Sequence, residues 1–229
     1  MSLHRNSLLV LLTLIISLVT IQAQDVKESQ PYQQEKKIYE LGKKYGDVSI
    51  SRHALYSLLA QDPSDASLLD SLAYMYYEYQ QYTSCLLVCI DILKTTPDHL
   101  AALEMSAVSY ENIGLKDKAL TAYESIYLRN SSIYTLYRIA VLQYDLDRSG
   151  ESITNIKILL EKEETKTAKI SMNTEQGTQQ IALEAAVYNL KGLVETSQGQ
   201  PESAKESYQQ ALAIEPSFTV AKNNLEKLN

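Results

Sequence analysis

The stretch AVYNLKGLVETSQGQPESAKESYQQALAIEPSF, residues 186–218, decides the fold. Counted from Ala185 as position 1, Tyr188, Gly192 and Gly199 fall at 4, 8 and 15. Ala204, Tyr208, Ala211 and Pro216 fall at 20, 24, 27 and 32. The apolar residues recur at helical spacing on either side of Gly199, so the text reads as two helices joined by a tight turn. Small residues at 8 and 20 let the helices approach, and overfilling such a contact costs ~1–3 kcal/mol. Proline inside a helix costs ~3 kcal/mol, so Pro216 closes the pair, whereas Pro201 suits the first turn of the second helix.

Upstream the same pattern recurs. Pro63 and Pro97 stand 34 residues apart. A unit from Ala66 places Leu69, Ala73, Tyr76, Cys85, Cys89, Ile92 and Pro97 at 4, 8, 11, 20, 24, 27 and 32. One from Leu100 gives Leu103, Ala107, Tyr110, Gly114, Ala119, Tyr123 and Ile126, and one from Ile133 gives Leu136, Ala140, Ser152, Ile156 and Leu159. A weaker first unit has Gly46 at its turn, Ser51, Leu55 and Leu58 in its second helix and Pro63 at its close, but Gly42 at position 11. A period in this range marks stacked helix pairs in which each unit contacts its neighbours.

These positions resemble the tetratricopeptide repeat, with its small residues at 8 and 20, aromatic residues at 11 and 24 and closing proline; no Trp stands at any position 4. The resemblance covers about residues 31–229 and implies an all-α fold, a right-handed superhelical solenoid of antiparallel helix pairs. Its units would run about 31–63, 66–98, 100–132, 133–164 and 185–218, with a capping helix over 217–228. Residues 165–180 break the period; Lys169–Met172 and Gln179–Ala182 flank a segment containing Gly177, which reads as a short hairpin or an ordered loop. A tolerated surface insertion and a partner-binding edge are both open readings of it.

Residues 1–23 differ. Met1–Asn6 carries Arg5 and no acid, Ser7–Ile21 is a 15-residue apolar run, and Ile21-Gln22-Ala23 ends on a small residue. This is the layout of a secretory signal peptide, and the run is short for a spanning helix. Residues 24–30 would be a linker. The expectation is export to a Gram-negative periplasm; the alternative is an uncleaved N-terminal anchor. The chain has 21 Lys and Arg against 28 Asp and Glu, net −7. An acidic chain suits neither nucleic acid nor anionic membrane surfaces.

Chemistry-bearing constellations are sparse. Cys85 and Cys89 are four apart on one helix, a poor geometry for a disulfide, and both take small core positions. His53 and His99 are isolated in sequence. No nucleophile elbow, phosphate loop or zinc-protease motif occurs. The expectation is no catalytic residue, no metal and no cofactor: a non-enzymatic protein.

Aromatic usage says more: 17 Tyr, one Phe and no Trp. Tyr76, Tyr110, Tyr123, Tyr188 and Tyr208 take bulky core positions. In the tetratricopeptide family, first-helix positions 2, 5, 9, 12 and 13 line the concave wall. The resemblance therefore implies a tyrosine-rich, acidic partner-binding face of Tyr74, Tyr77, Glu78, Glu104, Glu111, Asn112, Tyr134, Tyr137, Tyr144, Asp145 and Asn189. Tyrosine gives contact area at low entropy cost and keeps a polar tip, although these rings could equally pad the packing between units. The cationic clamp by which some family members hold a C-terminal carboxylate is absent, because Glu104, Glu111 and Asp145 put negative charge in its place. The reading is a scaffold in the cell envelope holding a protein or peptide segment. The alternative is an accessory subunit of an envelope enzyme or secretion complex, acting through its convex face or the 165–180 insertion.

Overall fold

The computed structural model describes residues 26–174 and 177–228. The expected signal peptide lies outside the described residues. Helices pair as α1 (Gln30–Lys44) with α2 (Val48–Gln61), α3 (Ala66–Glu78) with α4 (Tyr82–Thr95), and α5 (Leu100–Asn112) with α6 (Lys116–Asn130). Then come α7 (Ile133–Asp145) and α8 (Ser149–Glu161), a short α9 (Glu163–Thr167), strands β1 (Lys169–Thr174) and β2 (Gly177–Ala182), and α10 (Leu183–Ser197) with α11 (Pro201–Ile214). Helix α12 (Thr219–Glu226) follows. The fold is the expected one of helix-pair repeats. The described residues divide into two compact units that part between Met105 and Ser106, inside α5.

One hydrogen bond repeats at every turn within a pair. The amide of Asp47 donates to the Gly42 carbonyl (2.8 Å), Gln81 to Tyr76 (2.8 Å), Leu115 to Tyr110 (2.8 Å), Arg148 to Gln143 (2.8 Å) and Gln200 to Glu195 (2.9 Å). Position 16 thus ties back to position 11, the closure of a Schellman turn. The residue between needs a left-handed backbone, supplied by Gly46, Gly114 and Gly199 but also by Gln80 (φ 55°) and Asp147 (φ 58°). Those two departures from glycine blur the period in sequence without altering the turn. Among the described residues four helices start on side-chain caps: Ser29 accepts from the Tyr32 amide (3.4 Å), Asp47 from Ile50 (3.0 Å), Asp65 from Ser67 (2.9 Å) and His99 Nδ1 from Ala102 (3.2 Å).

Packing follows the register. Ala73, Ala107, Ala140, Cys85, Ala119, Ser152 and Ala204 are fully buried. A Cβ on Gly192 would sit 2.5 Å from the Tyr208 ring. A Cβ on Gly42 would meet Ser51 Oγ at 2.4 Å and its backbone nitrogen at 2.9 Å. In the first unit the core gathers Tyr32, Leu55, Leu58, Leu72, Tyr76, Val88 and Ile92. In the second it gathers Leu136, Ile156, Leu159, Leu183, Val187 and Phe218.

The insertion is a hairpin. β1 and β2 pair antiparallel with Ile170 opposite Ile181 and Met172 opposite Gln179. Its apolar face is not a surface decoration. Ile181 and Thr165 are fully buried, and Ile170 and Met172 pack against the same core as Leu183 and Val187. The Leu183 amide donates to the Ala168 carbonyl (2.9 Å) and closes the hairpin's base. Gln179 Nε2 donates to the Ser217 carbonyl (2.8 Å), tying β2 to the turn before α12. Helix α12 buries Ala221 and exposes Lys222, Asn223 and Glu226, a polar outer face.

Candidate partner-binding site

In the first unit, α1 and α3 flank a cleft of about 400 Å³. Tyr39 and Lys43 line it from α1, Gly46 and Ser51 from the turn and α2, and Ser71, Tyr74, Met75, Glu78 and Tyr79 from α3 and its end. A second hollow of about 330 Å³ shares Tyr39, Lys43 and Ser71 and runs toward Lys27 and Asp65. Tyr74 is 59% exposed. Its hydrogen bond to Glu78, one helical turn on, raises the phenol's pKa. Tyr77 is half-buried and meets Tyr82 edge-on, ring centres 6.4 Å apart; burial raises its pKa. Glu104 is exposed on α5. The structure thus leaves Tyr74, Glu78 and Glu104 available and Tyr77 partly so.

Lys43 lies with its ammonium 4.5 Å from the Tyr39 ring centre and pairs with Glu40 at 3.2 Å. Tyr76 at position 11 is buried, and its hydroxyl lies 2.7 Å from that of Tyr56. Burial, then this hydrogen bond, pushes its pKa up to about 12. At the near end, Lys27 reaches Asp65 at 2.6 Å. Burial alone would raise the Asp65 carboxyl, but the hydrogen bonds from Lys27 and Ser67 outweigh it and hold the pKa at about 2.

In the second unit, Tyr134 is 48% exposed, Tyr144 half-buried and Asn112 exposed. Other expectations are corrected here. Tyr137 is only 7% exposed and belongs to the core with Ile181 and Val187; burial raises its pKa. Asn189 is 4% exposed because α12 covers it, and its side chain accepts from Asn224 Nδ2 at 2.9 Å. Both are packing residues. Glu111 and Asp145 are not free acids. Glu111 pairs with Arg138 on α7 and accepts from the Tyr123 hydroxyl at 3.2 Å. Asp145 pairs with Lys116 at 2.8 Å.

Sequence reasoning missed the cleft residues Tyr39, Met75 and Tyr79. Gly42 stands where the other pairs carry Tyr76, Tyr110, Gln143 and Glu195, but Ser51 fills the place of its side chain, so it did not signal the cleft. Cys85 and Cys89 are both buried, their sulfurs 3.9 Å apart, as expected of packing thiols. Among the described residues no three His, Cys, Asp or Glu side chains come together closely enough to hold a metal ion. Among the same residues no helix is long and apolar enough to cross a membrane.

Residues 185–218 match the family model of the tetratricopeptide repeat. No curated protein is recognisably similar to the chain. Solved structures share its fold. A tetratricopeptide repeat protein from Parabacteroides merdae ATCC 43184 superposes with a TM-score of 0.66 at 16% identity, over 87% of this chain and 73% of that one. YrrB, a tetratricopeptide protein described as having an unusual peptide-binding site, gives 0.68 at 12% identity, over 91% and 97%. MamA from residue 41 onward, of Desulfovibrio magneticus RS-1, gives 0.62 at 12% identity, over 83% and 98%.

Proposed function

We propose that this chain, a tetratricopeptide-repeat protein by its fold and its last unit, is a non-enzymatic scaffold that holds a segment of a partner protein in the envelope of a Gram-negative bacterium. Each unit offers its own first-helix face as a holding surface: Tyr74, Glu78, Glu104 and the adjoining cleft in the first, and Tyr134, Asn112 and Tyr144 in the second. The observation that carries the reading is the exposure of Tyr74 and Tyr134, large rings left half in water on the face that the family uses for recognition. Exposed rings with polar tips are characteristic of interaction hot spots. YrrB, similar in fold, is described as binding peptide. The envelope location rests on the signal-like residues 1–23 and the acidic mature chain.

The test is affinity capture from the native envelope, comparing the natural chain with the triple variant Tyr74→Ser, Tyr134→Ser, Tyr144→Ser. Circular dichroism serves as the fold control. The variant is expected to keep its helical spectrum and lose its partner. Undiminished capture by the triple variant overturns the first-helix face as the holding surface and favours the accessory-subunit alternative.

A further inference from the structure

The cleft between α1 and α3 has a chemistry of its own. Its walls are the rings of Tyr39, Tyr74 and Tyr79 and the thioether of Met75. Aromatic faces attract cations, and one cation already rests there: Lys43, 4.5 Å from the centre of Tyr39. That charge is answered outside the cleft by Glu40. The remaining charge, Glu78, forms no ion pair among the described residues; its neighbour within the cleft is the neutral hydroxyl of Tyr74. Tyrosine faces beside an unpaired carboxylate, in an open hollow of about 400 Å³, make a site for a cationic side chain.

We infer that this cleft takes an arginine side chain of the partner segment. A guanidinium is planar and weakly hydrated, so it can stack on Tyr74 or Tyr79 and donate two parallel hydrogen bonds to Glu78. A lysine ammonium cannot stack in this way and is the more strongly hydrated ion. An anion would meet Glu78 in a chain of net charge −7. Ser71 is short where it faces Lys43, and the hollow stays open between them. The inference deepens the scaffold reading and rests on it.

The experiment is selection of random dodecapeptides displayed on phage against the full chain. Calorimetry then follows on one selected peptide and on the same peptide with arginine replaced by citrulline. Citrulline keeps the planar shape and loses the charge. Selected peptides are expected to be enriched in arginine. The citrulline version should bind on the order of tenfold more weakly, as for loss of one charge-assisted hydrogen bond. In Glu78→Gln, an exposed and near-isosteric change, the arginine peptide should weaken to a similar degree and citrulline should cost little more, because the two changes remove one interaction. Equal binding of arginine and citrulline peptides overturns the inference, as does enrichment of lysine or of an uncharged anchor; binding that still depends on Tyr74 and Tyr134 would then leave the scaffold reading standing. Selection of no peptide, or peptides indifferent to the Tyr74→Ser, Tyr134→Ser, Tyr144→Ser variant, overturns both.

Discussion

The α1–α3 interval and the α5–α7 interval use the same two register positions for opposite ends. Position 12 of the earlier helix faces position 6 of the later one. In the first unit these are Lys43 and Ser71, and both line an open cleft. In the second they are Glu111 and Arg138, which join in an ion pair. A short side chain opposite a long one leaves a hollow; two long side chains of opposite charge fill it. Repeats with one backbone therefore divide into a receptive pair and a self-satisfied pair through two residues. Burial points the same way: Tyr74 stays in water, whereas Tyr137 is drawn into a core that the hairpin completes.

The comparison can be broken first through stability. Ile181→Ala removes a fully buried side chain from the closed region and is expected to cost about 2–5 kcal/mol in urea unfolding. Tyr74→Ala in the open region should stay within about 0.5 kcal/mol. Equal costs would erase the division. Next comes the close contact of the last pair. Gly192→Ala drives a Cβ into Tyr208 and should cost ~1–3 kcal/mol; an unchanged melting midpoint would show the ring free to move aside.

A smaller effect probes the ion pair itself. A double-mutant cycle of Arg138→Ser with Glu111→Gln should give a coupling of about 1 kcal/mol, because Arg138 is partly exposed and water screens the pair. The converse change, Ser71→Glu, is expected to set a carboxylate against Lys43, close the cleft and abolish peptide binding while leaving stability nearly unaltered. Retained binding by Ser71→Glu would separate the cleft from recognition. A separate effect appears at low pH. Asp65 has a folded pKa of about 2 against an ordinary 3.8, so its contribution is complete above about pH 4 and is lost as pH falls through 2. Lys27→Met should raise the folded value and begin that loss at higher pH, read as a shifted acid-unfolding curve.

Much of this fold was legible because small residues at 8 and 20 and prolines at 32 obey a strict steric rule. The site was less legible. Exposure of a first-helix residue depends on the helix beside it, and that helix is 30 or more residues away in sequence. Tyr134 and Tyr137 are three apart on α7, yet one is in water and the other is in the core. Asn189 disappears under α12 through its contact with Asn224, a pairing that one unit's text does not encode. Glu111 reads as an acid until Arg138 is set beside it. The cleft carried no signal in the register: Gly42 reads as a faulty repeat, and Ser51 already fills the place its side chain would take. The hairpin was readable as an extended segment, but its burial follows from Ile170, Met172 and Ile181 meeting the core that follows them in sequence.

The bond from Gln179 to the Ser217 carbonyl carries a dynamic consequence. The ends of helical arrays open readily, since a terminal repeat has a neighbour on one side only. Here a strand preceding the last pair grips the turn that follows it, so α10, α11 and α12 are held from both ends of their own sequence. Amide exchange across these helices should then proceed as one cooperative opening, with a shared protection factor, instead of fraying inward from the C-terminus. Gln179→Ala should restore the gradient.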